Sequence, residues 1–241
     1  MRIKTNFSPN FSLQKRLKKS IKFVIIHYTG MQSEIDSIER LKNIKSRVSC
    51  HYLINRKGLI IQMVKDNKVA WHAGKSKWRT FVNLNENSIG IELVNNGHEF
   101  GYQNFSNAQI ISLISLCKKL KKKYMVKKEN FLGHSDIAPL RKLDPGEKFP
   151  WKKLSKHNLG HWYRKSKKKL KLTKGKKIEN LFFKNLYKIG YRYFKLGKTV
   201  KTKRLIIKAF QQHYLPLNIS GKIDQKTYKI SQFLANELKL A

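Results

Sequence analysis

Ile21-Lys22-Phe23-Val24-Ile25-Ile26-His27 is a run of β-branched and aromatic residues that ends on a histidine. A short, almost continuously apolar run of this kind reads as a strand buried on both faces. Residues 48–55 and 59–64 read as two more strands, joined by a tight turn at Arg56-Lys57-Gly58. Residues 88–94 are a further apolar run, with Glu92 in its middle. Residues 33–45 have helical spacing, and residues 106–123 set Ile110, Leu113, Ile114, Cys117 and Leu120 on one helical face. Strands and helices in alternation predict an α/β fold, a mixed central sheet flanked by helices.

The two ends of the chain read differently. Residues 1–20 are polar and basic and are expected to form a loosely ordered arm before a central domain over 21–160. Lysine dominates residues 165–177, so 161–177 read as a basic linker. Beyond it, residues 178–189, 201–213 and 227–238 have helical periodicity, with Asp224 as N-cap of the last. A small three-helix domain over 178–241 is therefore expected to follow the α/β domain.

The 241 residues carry 53 Lys and Arg against 14 Asp and Glu, a formal charge of +39. Such an excess attracts an anionic polymer at long range. Nucleic acid, acidic lipid and carboxylate-bearing cell wall all satisfy it, and a lysine-rich proteome would produce it without any partner. No recognisable nucleic-acid motif accompanies the charge, so no specific nucleic acid is expected. With 40% hydrophobic residues the chain can bury a core. Cys50 and Cys117 sit in apolar runs and read as core residues, not as a disulfide framework. No apolar run reaches the length of a membrane span, and the basic N-terminus lacks the apolar centre of a signal peptide.

His27, His134 and Asp144 are the residues that point to chemistry. Two imidazoles and a carboxylate form a catalytic zinc shell, because three protein ligands leave a fourth position for water. More than a hundred residues separate His27 from the other two, so spacing alone also admits polar core or surface histidines. Asp136, two residues after His134, is a rival acidic ligand or a loop-forming acceptor. Residues 133–151 contain three prolines and two glycines and read as a loop. Glu92 interrupts an apolar strand, where a carboxylate must be ion-paired, metal-bound or used in a reaction.

The text around these residues resembles a known family. Phe23-Val-Ile-Ile-His-Tyr-Thr29, Ser49-Cys-His-Tyr-Leu-Ile-Asn55, Ala70-Trp-His-Ala-Gly74, Ser88-Ile-Gly-Ile-Glu-Leu-Val-Asn95, Gly133-His-Ser-Asp-Ile-Ala-Pro139, Arg141-Lys-Leu-Asp-Pro-Gly146 and Phe149-Pro-Trp151 occur in one order. Together they resemble the type-2 N-acetylmuramoyl-L-alanine amidases, relatives of the peptidoglycan recognition proteins. The resemblance implies one zinc ion per chain on His27, His134 and Asp144, with Glu92 as general base and Lys142 stabilising negative charge on the substrate. It also implies that His51, His72, Asn95 and Arg141 line or border a cleft for peptidoglycan or muropeptide. His98, His157, His161 and His213 match no ligand position and read as surface or packing residues.

In the C-terminal region, Ile189-Gly190-Tyr191, Ile207-Lys-Ala-Phe-Gln-Gln-His213 and Gly221-Lys-Ile-Asp-Gln-Lys-Thr227 resemble a three-helix peptidoglycan-binding domain. A helical cap that only packs on the catalytic domain is the competing reading. A non-catalytic recognition protein of the same fold would be expected to have lost a metal ligand or Glu92, and all four residues are present. The expected reaction is hydrolysis of the amide between N-acetylmuramic acid and L-alanine. A wall-binding domain favours the bacterial envelope or periplasm as its place of action, with cytoplasmic recycling of muropeptides as the alternative.

Overall fold

The computed structural model describes residues 3–164, 176–193 and 199–238. Ten strands are present there: β1 Ile3–Thr5, β2 Phe11–Ser12, β3 Phe23–Tyr28, β4 Tyr52–Ile54, β5 Ile60–Gln62, β6 Val69–Ala70, β7 Lys77–Trp78, β8 Phe81–Val82, β9 Ser88–Leu93 and β10 Phe131–Gly133. The helices are α1 Glu34–Lys42, α2 Asn107–Tyr124, α3 His134–Ile137, α4 Trp151–Ser155, α5 Lys176–Ile189, α6 Val200–Tyr214 and α7 Gln225–Glu237. Six strands form the main sheet in the order β1-β5-β4-β9-β3-β10. Only the β4–β5 hairpin is antiparallel, so the sheet is mixed as expected.

Side chains alternate between the faces of a strand, and β3 sorts its residues into two cores accordingly. Val24 and Ile26 pack with Ile89, Ile91 and the apolar face of α2, at Ile110, Leu113, Ile114, Cys117 and Leu120. Phe23 and Ile25 point to the other face, into a core with Phe182, Leu186, Phe210 and Leu234 of the C-terminal helices. Residues of α5–α7 and of the sheet thus share one continuous apolar core. Gly190, at φ +142°, lets the chain close against the sheet domain: a Cβ there would lie 2.4 Å from the indole of Trp78.

Helix ends follow from their caps. Ser33 caps α1 by accepting from Asp36 N–H, Ser106 and Gln109 form a reciprocal capping box on α2, and Asp224 caps α7 through Thr227 N–H. Residues 165–175, where most of the basic linker was expected, lie outside the described residues. Residues 133–151 are not loop throughout, since they contain the one-turn helix α3.

The N-terminal segment corrects the expectation of a loose arm over 1–20. β1 extends the sheet by pairing parallel to β5, and β2 pairs with β6. Asn10 donates its side-chain amide to the carbonyls of Asn43 and Val48 at 2.8 and 2.9 Å. Arg16 reaches inward, and its guanidinium donates to the carbonyls of Asp66 at 2.9 Å, Asn85 at 3.0 Å and Ser88 at 2.6 Å. The segment is polar because its polar groups satisfy carbonyls of the neighbouring loops.

Arg16→Met keeps the aliphatic stem and strips these donors. Hydrogen bonds from a charged group to partly buried acceptors leave several carbonyls without that donor when lost, so the variant is expected to lose about 2 kcal/mol of stability. Urea unfolding measures this, and a midpoint indistinguishable from wild type would contradict the assignment.

Candidate metal centre

Sheet register brings the first two groups together. His27 near the end of β3 pairs with Glu92 of β9, so the two side chains project from the same face of adjacent parallel strands. β10 flanks β3 on the other side, and His134 follows it directly as the first residue of α3. Asp144 returns from the loop after α3, tied back where Ser135 N–H donates to its carbonyl at 2.9 Å. All three potential ligands are buried.

Their separations are those of a single coordination shell. His27 Nδ1 lies 3.0 Å from His134 Nδ1 and 2.9 Å from Asp144 Oδ2, and His134 Nδ1 lies 3.0 Å from the same oxygen. Neighbouring hydrogen bonds decide where the protons are. Ser88 Oγ–H donates to the Leu84 carbonyl, so its lone pair accepts His72 Nε2–H at 3.2 Å. His72 Nδ1 then accepts His27 Nε2–H at 3.0 Å, which leaves a bare lone pair on His27 Nδ1. His134 Nε2–H donates to the Ala73 carbonyl at 3.1 Å, leaving its own Nδ1 bare. Three acceptors therefore converge with no proton among them, and a cation is the group that satisfies such a set. Burial, together with the neighbouring His134, pushes His27 down to about 4, so it is a neutral donor at pH 7.

His72 fits because β9 carries Gly90 beside it; a Cβ at that position would lie 2.3 Å from the imidazole. Glycine inside a strand often marks such an approach. His51 stands behind His72 with ring centroids 5.6 Å apart, accepts Gly90 N–H on Nδ1 at 3.0 Å, and is fully buried.

A cleft of about 500 Å³ opens over His27, His72, Glu92, His134 and Asp144. Glu92 Oε2 is buried without a hydrogen-bond partner. Burial and the charge of Asp144 push the Glu92 carboxyl up to about 8, with Lys142 acting in the opposite direction. Lys142 and Arg141 both line the cleft. The Arg141 guanidinium is engaged with the Ala73 and Lys75 carbonyls, so it braces the loop that receives His134.

Two of the expected cleft residues lie elsewhere. His51 holds the β9 backbone, as described, rather than facing substrate. Asn95 is fully buried and folds the following loop, donating to the Gln103 carbonyl at 2.9 Å and accepting Gly97 N–H at 3.1 Å. Conversely, His98 does line the cleft, 2.8 Å from Tyr28 Oη through Nδ1 and 3.1 Å from Glu147 through Nε2. Asp136 is turned away from the centre and accepts Gly133 N–H at 2.8 Å. Sequence reading missed Ser88 and Arg16; the only local signal for the former was the glycine two residues along the strand.

The chain is similar to several known proteins. Residues 17–147 match the family described as N-acetylmuramoyl-L-alanine amidase. The chain is 36% identical over 229 residues to N-acetylmuramoyl-L-alanine amidase AmiD of Escherichia coli K12, covering 89% of this chain and 82% of that protein. It is 43% identical over 108 residues to 1,6-anhydro-N-acetylmuramyl-L-alanine amidase AmpD of Haemophilus influenzae, covering 44% of this chain and 56% of that protein. Among solved structures, E. coli AmiD with the substrate anhydro-N-acetylmuramic acid-L-Ala-D-gamma-Glu-L-Lys superimposes with a TM-score of 0.80 at 33% identity, over 94% of this chain and 92% of that one. AmpDh3 of Pseudomonas aeruginosa gives 0.78 at 27% identity, over 95% and 96%.

Removing the acceptor that fixes His72 tests the proton arrangement. Ser88→Ala is expected to weaken binding of a divalent transition metal about tenfold, the scale seen when a partner of a ligand is lost. Chelator competition reads the constant, and unchanged affinity would show that His27 needs no such orientation.

Proposed function

The chain belongs to the N-acetylmuramoyl-L-alanine amidase family and hydrolyses the bond between N-acetylmuramic acid and L-alanine in peptidoglycan or its muropeptides; we propose that it does so with one zinc ion held by His27, His134 and Asp144. The observation that carries this reading is the convergence of three proton-free acceptors beside Glu92. Two imidazole nitrogens and one carboxylate oxygen suit zinc and leave a fourth position open. Zinc, when bound there, would supply a water of lowered pKa and a Lewis acid for the scissile carbonyl.

The chain's own groups do the rest. Glu92, as carboxylate, takes a proton from the attacking water and delivers it to the alanine nitrogen as the C–N bond breaks. The products are the carboxylate of the muramyl lactyl group and a peptide with a free alanine amine. Lys142 presents an ammonium to the cleft two residues before Asp144, where it offsets charge building on the carbonyl oxygen. His72 orients His27, and Arg141 holds the Ala73 carbonyl that orients His134.

The partner is peptidoglycan or a muropeptide, and the bacterial envelope or periplasm is proposed as the place of action. The +39 charge supports an anionic polymer as surface partner. Similarity to AmiD extends over most of the chain, whereas the similarity to AmpD covers less than half. Among the described residues no helix is long and apolar enough to cross a membrane.

A defined muropeptide incubated with the protein tests the reading by mass analysis. Free sugar and an alanine-started peptide should appear, disappear with a chelator and return with zinc. An intact but bound muropeptide would instead favour a recognition protein.

Glu92→Gln is expected to retain zinc and lose about 10²–10⁴-fold in kcat. The proton-accepting form of Glu92 grows as pH rises through its raised pKa, so kcat/KM should climb with pH on the acid side. A cation at the site favours the carboxylate, which places that limb at or below about 8. The limb should vanish in Glu92→Gln; wild-type turnover in this variant would remove Glu92 as the base.

A further inference from the structure

The motifs at Gly190-Tyr191 and His213 have a use that wall binding does not account for. Asp136, fully buried on α3 two residues after His134, accepts three hydrogen bonds. One comes from Gly133 N–H at 2.8 Å, within its own loop. The others come from the C-terminal helices: His213 Nδ1–H on α6 at 2.8 Å, and the Tyr191 hydroxyl just after α5. His213 is itself held between two rings, stacked on Trp151 at 4.1 Å and 11° and on Tyr214 at 4.1 Å and 16°.

Trp151 closes the arrangement onto the metal-ligand loop. A Cβ on Gly133 would lie 2.7 Å from Pro145 and 3.4 Å from both Asp136 Oδ2 and the Trp151 ring. The residue before His134 is therefore wedged between the loop that carries Asp144 and the aromatic stack that carries His213. A helix of four residues has no cooperative stability of its own, so the direction in which α3 presents His134 depends on these outside contacts. A buried carboxylate that loses its donors is unfavourable and drives its own loop to rearrange.

We infer that Tyr191 and His213 are positioning residues for the metal ligand His134, acting through Asp136, so that the C-terminal helices complete the catalytic site whatever they do at the wall. This rests on the reading of His27, His134 and Asp144 as metal ligands. The helices are part of the enzyme's working fold, and its activity on a small soluble muropeptide depends on them.

The test uses the full-length, zinc-loaded chain with Tyr191→Phe, His213→Ala and His213→Asn, and with the fully exposed Leu217→Ala as control. Zinc affinity is read by chelator competition, kcat and KM on one soluble muropeptide, and folding by urea unfolding. Tyr191→Phe and His213→Ala should each weaken zinc about tenfold. They should lower kcat while KM stays within about twofold, as expected for groups that do not touch substrate. The amide N–H of His213→Asn can replace Nδ1–H and should recover most of both losses, and Leu217→Ala should change neither. Wild-type zinc affinity and kcat in folded Tyr191→Phe overturn the inference, even if His213→Ala fails to fold. So does a loss in His213→Ala that Asn does not recover. A wild-type protein that binds zinc and leaves the muropeptide intact defeats the amidase reading, while the zinc affinities still decide the coupling.

Discussion

Three lone pairs without a proton, on His27 Nδ1, His134 Nδ1 and Asp144 Oδ2, meet within 3.0 Å of one another in a buried site. Without a cation this is electrostatically unfavourable, because each atom faces two other acceptors at van der Waals distance. The surroundings enforce it all the same. Ser88 and His72 commit the far nitrogen of His27, and the Ala73 carbonyl, braced by Arg141, commits that of His134. Asp144 completes the set with a carboxylate oxygen 2.9 Å from His27 Nδ1 and 3.0 Å from His134 Nδ1.

Both faces of the sheet serve this arrangement. α2 packs on one face and gives β3 and β9 a rigid backing, so the register that sets His27 beside Glu92 cannot slip. The other face is divided. Leu41 of α1 packs with Leu53 and Val94 on one side, and the C-terminal helices pack on Phe23 and Ile25 on the other. The cleft opens at the ends of β3 and β9, with Ser37, Arg40 and Leu41 of α1 along one wall.

Much of this was legible in the sequence. The run ending at His27 reads as a doubly buried strand because almost every position is apolar, and the structure buries Phe23 through Ile26 completely. Glu92 was visible as a carboxylate where an apolar side chain was due. The N-terminal strand was not visible: Ile3–Thr5 is three residues long and mostly exposed, too short for a period to register. Arg16 was hidden among 53 basic residues, and only the tertiary fold shows that it alone of its neighbours turns inward to several carbonyls. His51 and Asn95 were expected at the cleft because they adjoin its motifs, yet His51 lies further down the same face, behind His72 and against Gly90, and the turn after β9 sends Asn95 inward. His213 has helical-core spacing, and nothing local reveals that its partner is Asp136, 77 residues away.

The most direct measurement of the central claim is anomalous diffraction from crystals of the zinc-loaded protein. The account predicts one zinc ion per chain at about 2.0–2.2 Å from His27 Nδ1, His134 Nδ1 and Asp144 Oδ2. Glu92 should lie beside the fourth position without binding the metal. Zinc bound through either Nε2 atom, through Asp136, or at no ordered site within this shell would contradict the proton arrangement from which the rest is built.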